Sequence, residues 1–254
     1  MEPKVFYPLL KKFIPAVIAA LILLWLYKFY GALAYTLKNM PEFIRLTWEH
    51  LLLVVISLAA AATVGVSLGT IMTRKGFENF GPAIMTLVNI WQSVPSLGVI
   101  ALAYGILPVF GLSGIGAVPA LIALFFHAVA PIVRNTYAGI QSVSKDVIEA
   151  ADGMGMTPRQ ILFKIELPNA LPVIMGGIRT STAIIVGTAP LAFLIGGGGL
   201  GFWIFTGIAL MDTGIMMAGA VPVALIAMAF DFIFARMEKI IVSPGIRAEA
   251  YQAL

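Results

Sequence analysis

The sequence predicts an all-α membrane protein with about six transmembrane helices, and three observations carry that prediction. Of its 254 residues, 60% are hydrophobic and only 11% are charged. A soluble domain carries about a quarter charged residues, so this chain has too few to cover a water-facing surface. Six apolar runs approach the roughly 20 residues a helix needs to cross a bilayer. Lysine and arginine are also distributed unevenly between the connections.

The spans are taken in order. The first covers about 13–30 and the second about 48–72. The third, about 83–107, is interrupted by the polar run Gln92-Ser93-Val94-Pro95-Ser96. The fourth covers about 115–133, the fifth 171–195 and the sixth 215–235. Helices are required because an open sheet leaves backbone groups unpaired in lipid. Lys11 and Lys12 precede the first run, and Ala32-Leu33-Ala34 resembles a leader-cleavage site. Lys28, Phe29 and Tyr30 fit poorly before such a site, so a retained helix is expected.

Positive charge sets orientation. With the N-terminus inside, twelve Lys and Arg fall on inner segments, Arg134 among them. Only Lys28, Lys38 and Arg45 fall outside, and Arg179 lies within the fifth span. Both termini are therefore expected in the cytoplasm. No cysteine is present, which excludes disulfides and thiolate metal sites. No basic run interleaved with aromatics suggests nucleic acid. No G-x-x-x-x-G-K-[ST] occurs, so a phosphate-cradling loop is missing. No nucleophile–base pair or metal-ligand spacing stands out.

One inner segment is polar and turn-rich: EAADGMGMTPRQILFKIELP, residues 149–168. Ser144 is placed to cap a helix, with Asp146 near its positive end. Val147, Ala150, Ala151 and Met154 fall on one face at helical spacing. Gly153 and Gly155 permit a sharp stop. Thr157-Pro158-Arg159-Gln160 restarts a helix through a capping box, and Leu167-Pro168 is expected to end it. The small side chains of Ala150 and Ala151 let another protein approach closely. Glu149 and Asp152 set charge beside that contact.

These residues resemble the EAA loop of the permeases of ABC importers. Glu149-Ala150-Ala151, Gly155 and Ile165-Glu166-Leu167-Pro168 match its spacing. QSVPSLGVIA (92–101), APIVRNTYAGI (130–140), ELPNALPVIMGGIRT (166–180) and IGGGGLG (195–201) extend the likeness over about 45–240, to the glycine betaine, choline and carnitine branch. The resemblance implies a type I ABC-importer permease fold with a cytoplasmic coupling helix. It divides the chain into an N-terminal helix with its outer connection (1–44), a five-helix core (45–240) containing the coupling loop (about 135–170), and a tail (241–254).

The resemblance also implies function. The chain is expected to be a transporter subunit in a bacterial cytoplasmic (inner) membrane, not an enzyme. The cargo is a small quaternary ammonium osmoprotectant. Glu149, Ala150, Ala151, Asp152, Gly153, Gly155 and Met156 would face a cytoplasmic ABC ATPase, which holds the ATP and Mg; this chain binds no cofactor. Further partners are a second permease copy or related permease, an extracytoplasmic substrate-binding protein and the lipid bilayer. An amino acid or other small solute is the alternative cargo. An ion-coupled secondary transporter is the alternative class, but it would show inverted repeats and paired intramembrane acids.

Other expectations follow from single residues. Gln92, Ser93, Pro95 and Ser96 would face the translocation path, since a proline-broken helix frees carbonyls that lipid cannot satisfy. Gly196, Gly198 and Gly201 match G-x-G-x-x-G without its strand and acid, so a flexible outer turn is expected. Arg179 and Asp231 are intramembrane charges able to pair. His127 reads as a buried, hydrogen-bonded histidine. Gly65 and Gly69 form a helix-packing GxxxG. Trp25, Trp48 and Trp203 read as interfacial anchors.

Overall fold

The computed structural model describes residues 6–77 and 80–243, with side chains from Ile14 onward apart from that of Phe80. The helices are α1 Phe6–Phe29, α2 Ala32–Lys38, α3 Met40–Ile71, α4 Phe80–Gln92, α5 Ser96–Ile106, α6 Ala117–Gln141, α7 Lys145–Gly153, α8 Pro158–Ile161, α9 Leu167–Thr188, α10 Gly201–Ala209 and α11 Thr213–Ile241. No strand occurs among the described residues. Of the expected tail, 241–254, residues 244–254 lie outside them.

Among the described residues, four continuous helical runs are long and apolar enough to span a membrane: α3, α6, the run Pro158–Ile195 and α11. Two bent pairs complete the six. α1 turns by 71° into α2 at Gly31, which adopts a left-handed φ of 73°. α4 turns by 100° into α5 at the predicted polar break. Pro95 stands at the N-cap of α5, so the third span is not kinked but divided.

The sequence expected Pro168 to end a helix, and this is corrected. α8 continues through a π-helical turn, Leu162–Glu166, directly into α9. Pro168 falls in the first turn of α9. The wider turn before it makes room for a ring that would strike the preceding carbonyls of a regular helix. A 3₁₀ segment, Ala189–Ile195, then extends the span to its far end.

Helix α6 is the hub, packed against α3, α9, α4 and α5. Water does not drive apolar helices together inside lipid, so close backbone approach must do so. The GxxxG of α3 supplies it. A Cβ at Gly65 would lie 2.8 Å from the Ile132 Cβ, and one at Gly69 would lie 2.7 Å from that of Thr136. The partner of this motif is therefore α6 of the same chain.

Trp203 is corrected from interfacial anchor to core. It is fully buried, stacks on Phe43 and meets Tyr35 edge-on, and its Nε1 donates to Glu42 Oε2 at 2.9 Å. Trp25 and Trp48 are exposed. His50 is also fully buried, with neither ring nitrogen hydrogen-bonded.

The glycine turn is held rather than loose. Gly196, Gly198 and Gly199 have φ between 74° and 81°. Gly199 N–H donates to Glu49 Oε2 at 2.9 Å, and Arg45 pairs with the other oxygen of that carboxylate at 2.7 Å.

Candidate functional site

The polar elbow is built by local chemistry at both of its turns. α7 ends in a Schellman motif: Met156 N–H donates to the Ala151 carbonyl at 3.1 Å, and Gly155 N–H to that of Asp152 at 2.8 Å. Gly155 carries the left-handed φ of 77° that this motif needs. Gly153 is the last residue of α7 and has no positive φ, so of the two expected hinge glycines only Gly155 makes the turn.

α8 starts with the predicted capping box. Thr157 N–H donates to Gln160 Oε1 at 2.8 Å, and Gln160 N–H to Thr157 Oγ1 at 3.3 Å. Ser144 occupies the N-cap of α7, but its side chain makes no capping bond.

The helical period divides α7 into two faces. Ala151 is 1% exposed and packs beneath the elbow, where α7 meets α8 and the π turn. It was expected on the partner-facing surface; its Cβ is instead spent on the chain's own packing. Glu149, Ala150, Asp152, Gly153 and Gly155 are exposed, and Met156 is half-buried. Val147 and Met154 extend the outward face, Met154 being 74% exposed. Apolar side chains left bare on a polar connection mark a surface that another molecule covers.

The base of the elbow is anchored. Arg74, beyond the end of α3, pairs with Glu166 of the π turn at 2.6 Å. Its guanidinium also donates to Thr73 Oγ1. Sequence reasoning quoted Glu166 only as part of a motif; the residue that pairs with it lies 92 positions earlier, beyond any local pattern.

Further along, Arg179 on α9 does pair with Asp231 on α11, at 2.7 Å, and with Glu238 two turns on at 3.3 Å. His127 is half-buried and its Nδ1 has no partner, contrary to the hydrogen-bonded reading.

At the divided third span, Ser93 and Pro95 are exposed, while Gln92 and Ser96 are half-buried. Gln92 Oε1 and Asn89 Oδ1 both accept from Arg134 Nη2. Trp91 Nε1 donates to the Phe126 carbonyl at 2.9 Å, fixing α4 against α6. Among the described residues, no group of three His, Asp or Glu is placed to hold a metal ion.

Residues 65–243 match the model of the family described as binding-protein-dependent transport system inner membrane component. The chain belongs to this family. Its curated relatives agree in kind. It is 42% identical to the choline transport system permease protein OpuBB of Bacillus subtilis, over 82% of this chain and 93% of that one. It is 44% identical to the osmoprotectant import permease protein OsmY of Salmonella typhimurium, over 89% and 93%. In fold it is similar to a chain of the inward-facing MetNI methionine ABC transporter, with TM-score 0.74 and 24% identity, over 81% of this chain and 99% of that one. The chain is thus a multi-pass inner-membrane permease of an importer, not an enzyme, and has the permease fold that its sequence suggested.

Proposed function

We propose that this permease imports a small quaternary ammonium osmoprotectant of the glycine betaine, choline or carnitine type, driven by a separate cytoplasmic ABC ATPase. The names of the curated relatives support the cargo class: one handles choline, and another of Bacillus subtilis, 41% identical over 209 residues, handles glycine betaine, carnitine and choline. A substrate-binding protein delivers cargo to the outer face, and a second permease copy or a related permease completes the path. Both termini and the elbow lie on the cytoplasmic side, in accord with the distribution of Lys and Arg.

The observation that carries the coupling role is the outward face of α7. Val147, Ala150 and Met154 are bare beside Glu149 and Asp152, on an elbow fixed at both turns and anchored by Arg74–Glu166. A rigid lever with an uncovered apolar face suits a protein that pushes on it. Met156, Gly153 and Gly155 belong to the same docking surface, while Ala151 supports it from beneath. ATP and Mg bind the partner, since this sequence has no phosphate-cradling loop.

The test is reconstitution of the permease with its ATPase and binding protein. Betaine or choline should stimulate ATP hydrolysis and accumulate in vesicles. Glu149→Lys should leave the helices inserted and cut uptake per ATP hydrolysed. Uptake unaffected by that reversal contradicts the coupling role.

A further inference from the structure

Arg134 is a charge within a spanning helix. The sequence placed it in the connection after the fourth span. It lies instead inside α6, seven residues before the last residue, Gln141. Two contacts show that α4 and α6 run antiparallel. A Cβ at Gly81 would lie 3.2 Å from the Tyr137 hydroxyl near the elbow, and Trp91 bonds the Phe126 carbonyl near the break. Arg134 is three residues from Tyr137 and eight from Phe126. Its guanidinium nevertheless meets Asn89 and Gln92, which flank Trp91 in the last turn of α4.

The cause is the tilt of helical side chains toward the N-terminus. α4 and α6 start at opposite ends, so Arg134 leans toward the break while Asn89 and Gln92 lean back to meet it. An arginine seeking the nearer membrane boundary would run the other way. Both of its partners are neutral amides, and no ion pair among the described residues includes it. Arg134, Asn89 and Ser93 are all exposed. A charged group held toward mid-bilayer is costly against lipid and marks a water-filled path.

We propose that Arg134, oriented by Asn89 and Gln92, recognises a carboxylate on the translocation path. It favours cargo bearing a carboxylate beside its ammonium group over cargo that is a cation alone. The proposal rests on the osmoprotectant reading and names the subset of that class. Nη2 serves the two amides, which leaves donors on Nε and Nη1 for an anion in the planar fork that guanidinium offers. At the level of the break, Trp91 packs on Phe126 with ring centroids 5.5 Å apart, and Phe126 remains 45% exposed, an aromatic surface suited to a quaternary ammonium.

The chain has no cysteine, so Ser93→Cys supplies a single thiol in the assembled complex with cysteine-free partners. Its reaction with anionic and cationic methanethiosulfonates reads both water access and local charge. Both reagents should react, the anionic one several-fold faster relative to a free thiol. Arg134→Gln should remove that preference and Arg134→Lys should keep it. No reaction, as against lipid or a second subunit, overturns the proposal, as does a preference that Arg134→Gln leaves unchanged.

Uptake supplies the second arm. Arg134→Gln should lower glycine betaine uptake about tenfold, the scale of one charged hydrogen bond. Choline uptake should change less than about twofold on the same scale. Equal losses overturn the proposal. If the unaltered complex moves neither cargo, the osmoprotectant reading fails, while the labelling still decides whether Arg134 lines a path.

Discussion

Arg74 and Glu166 meet at 2.6 Å and join the end of α3 to the π turn beneath the polar elbow. Breaking a buried pair costs about 3–5 kcal/mol, and the partial exposure of Arg74 lowers this to roughly 1–3 kcal/mol. Glu166→Ala should therefore lower the melting temperature of the purified permease. The exchange Arg74→Glu with Glu166→Arg should recover part of the loss. Thermal unfolding of the three variants checks this; a double exchange worse than the single change contradicts it.

The two glycines of the elbow should respond differently. Gly155→Ala places a Cβ on a left-handed residue, at a cost of about 1 kcal/mol from strain alone, since nothing crowds the site. Gly153→Ala meets no neighbour and no positive φ, so it should stay within about 0.5 kcal/mol. Gly155→Asn, which tolerates this conformation, should fall between the two. Melting temperature together with uptake distinguishes them.

Gly69→Ala should weaken the seam between α3 and α6. The added methyl would lie 2.9 Å from the Val133 carbonyl as well as against Thr136, and backbone cannot swing aside as a side chain can. Overpacking of this kind costs about 1–3 kcal/mol. Lower yield of folded protein in detergent is the readout, and an unchanged melting curve would count against the seam.

The trio Arg179, Asp231 and Glu238 should be asymmetric. The Asp231 side chain is 61% exposed and that of Glu238 only 13%. Asp231→Asn should cost no more than about 1 kcal/mol. Arg179→Ala leaves the Glu238 carboxylate without its cation and should cost about 1–3 kcal/mol. Parallel melting curves test the order.

Periodicity and composition were sufficient for the spans, because lipid demands long apolar helices whatever their partners. The capping box at Thr157 and Gln160 was equally readable, being local chemistry at fixed spacing. What escaped were relations between distant residues. Pro168 reads as a stop unless the π turn ahead of it is known, and Trp203 reads as an anchor unless Glu42 is seen waiting for its N–H. Ala150 and Ala151 are adjacent small residues, and only the docking of α7 on α8 shows which of them turns inward. Arg134 was misplaced because α6 continues past the unbroken apolar run that ends at Val133, so a charge counted as loop belongs to the span.

The coupling claim is tested most directly by cross-linking from single cysteines at Ala150 and Ala151 in the assembled complex. Ala150→Cys, on the outward face, should form a covalent adduct with the ATPase subunit through a short thiol-reactive linker. Ala151→Cys, buried under the elbow, should not. Absence of the adduct from position 150, or equal adducts from both positions, contradicts the account.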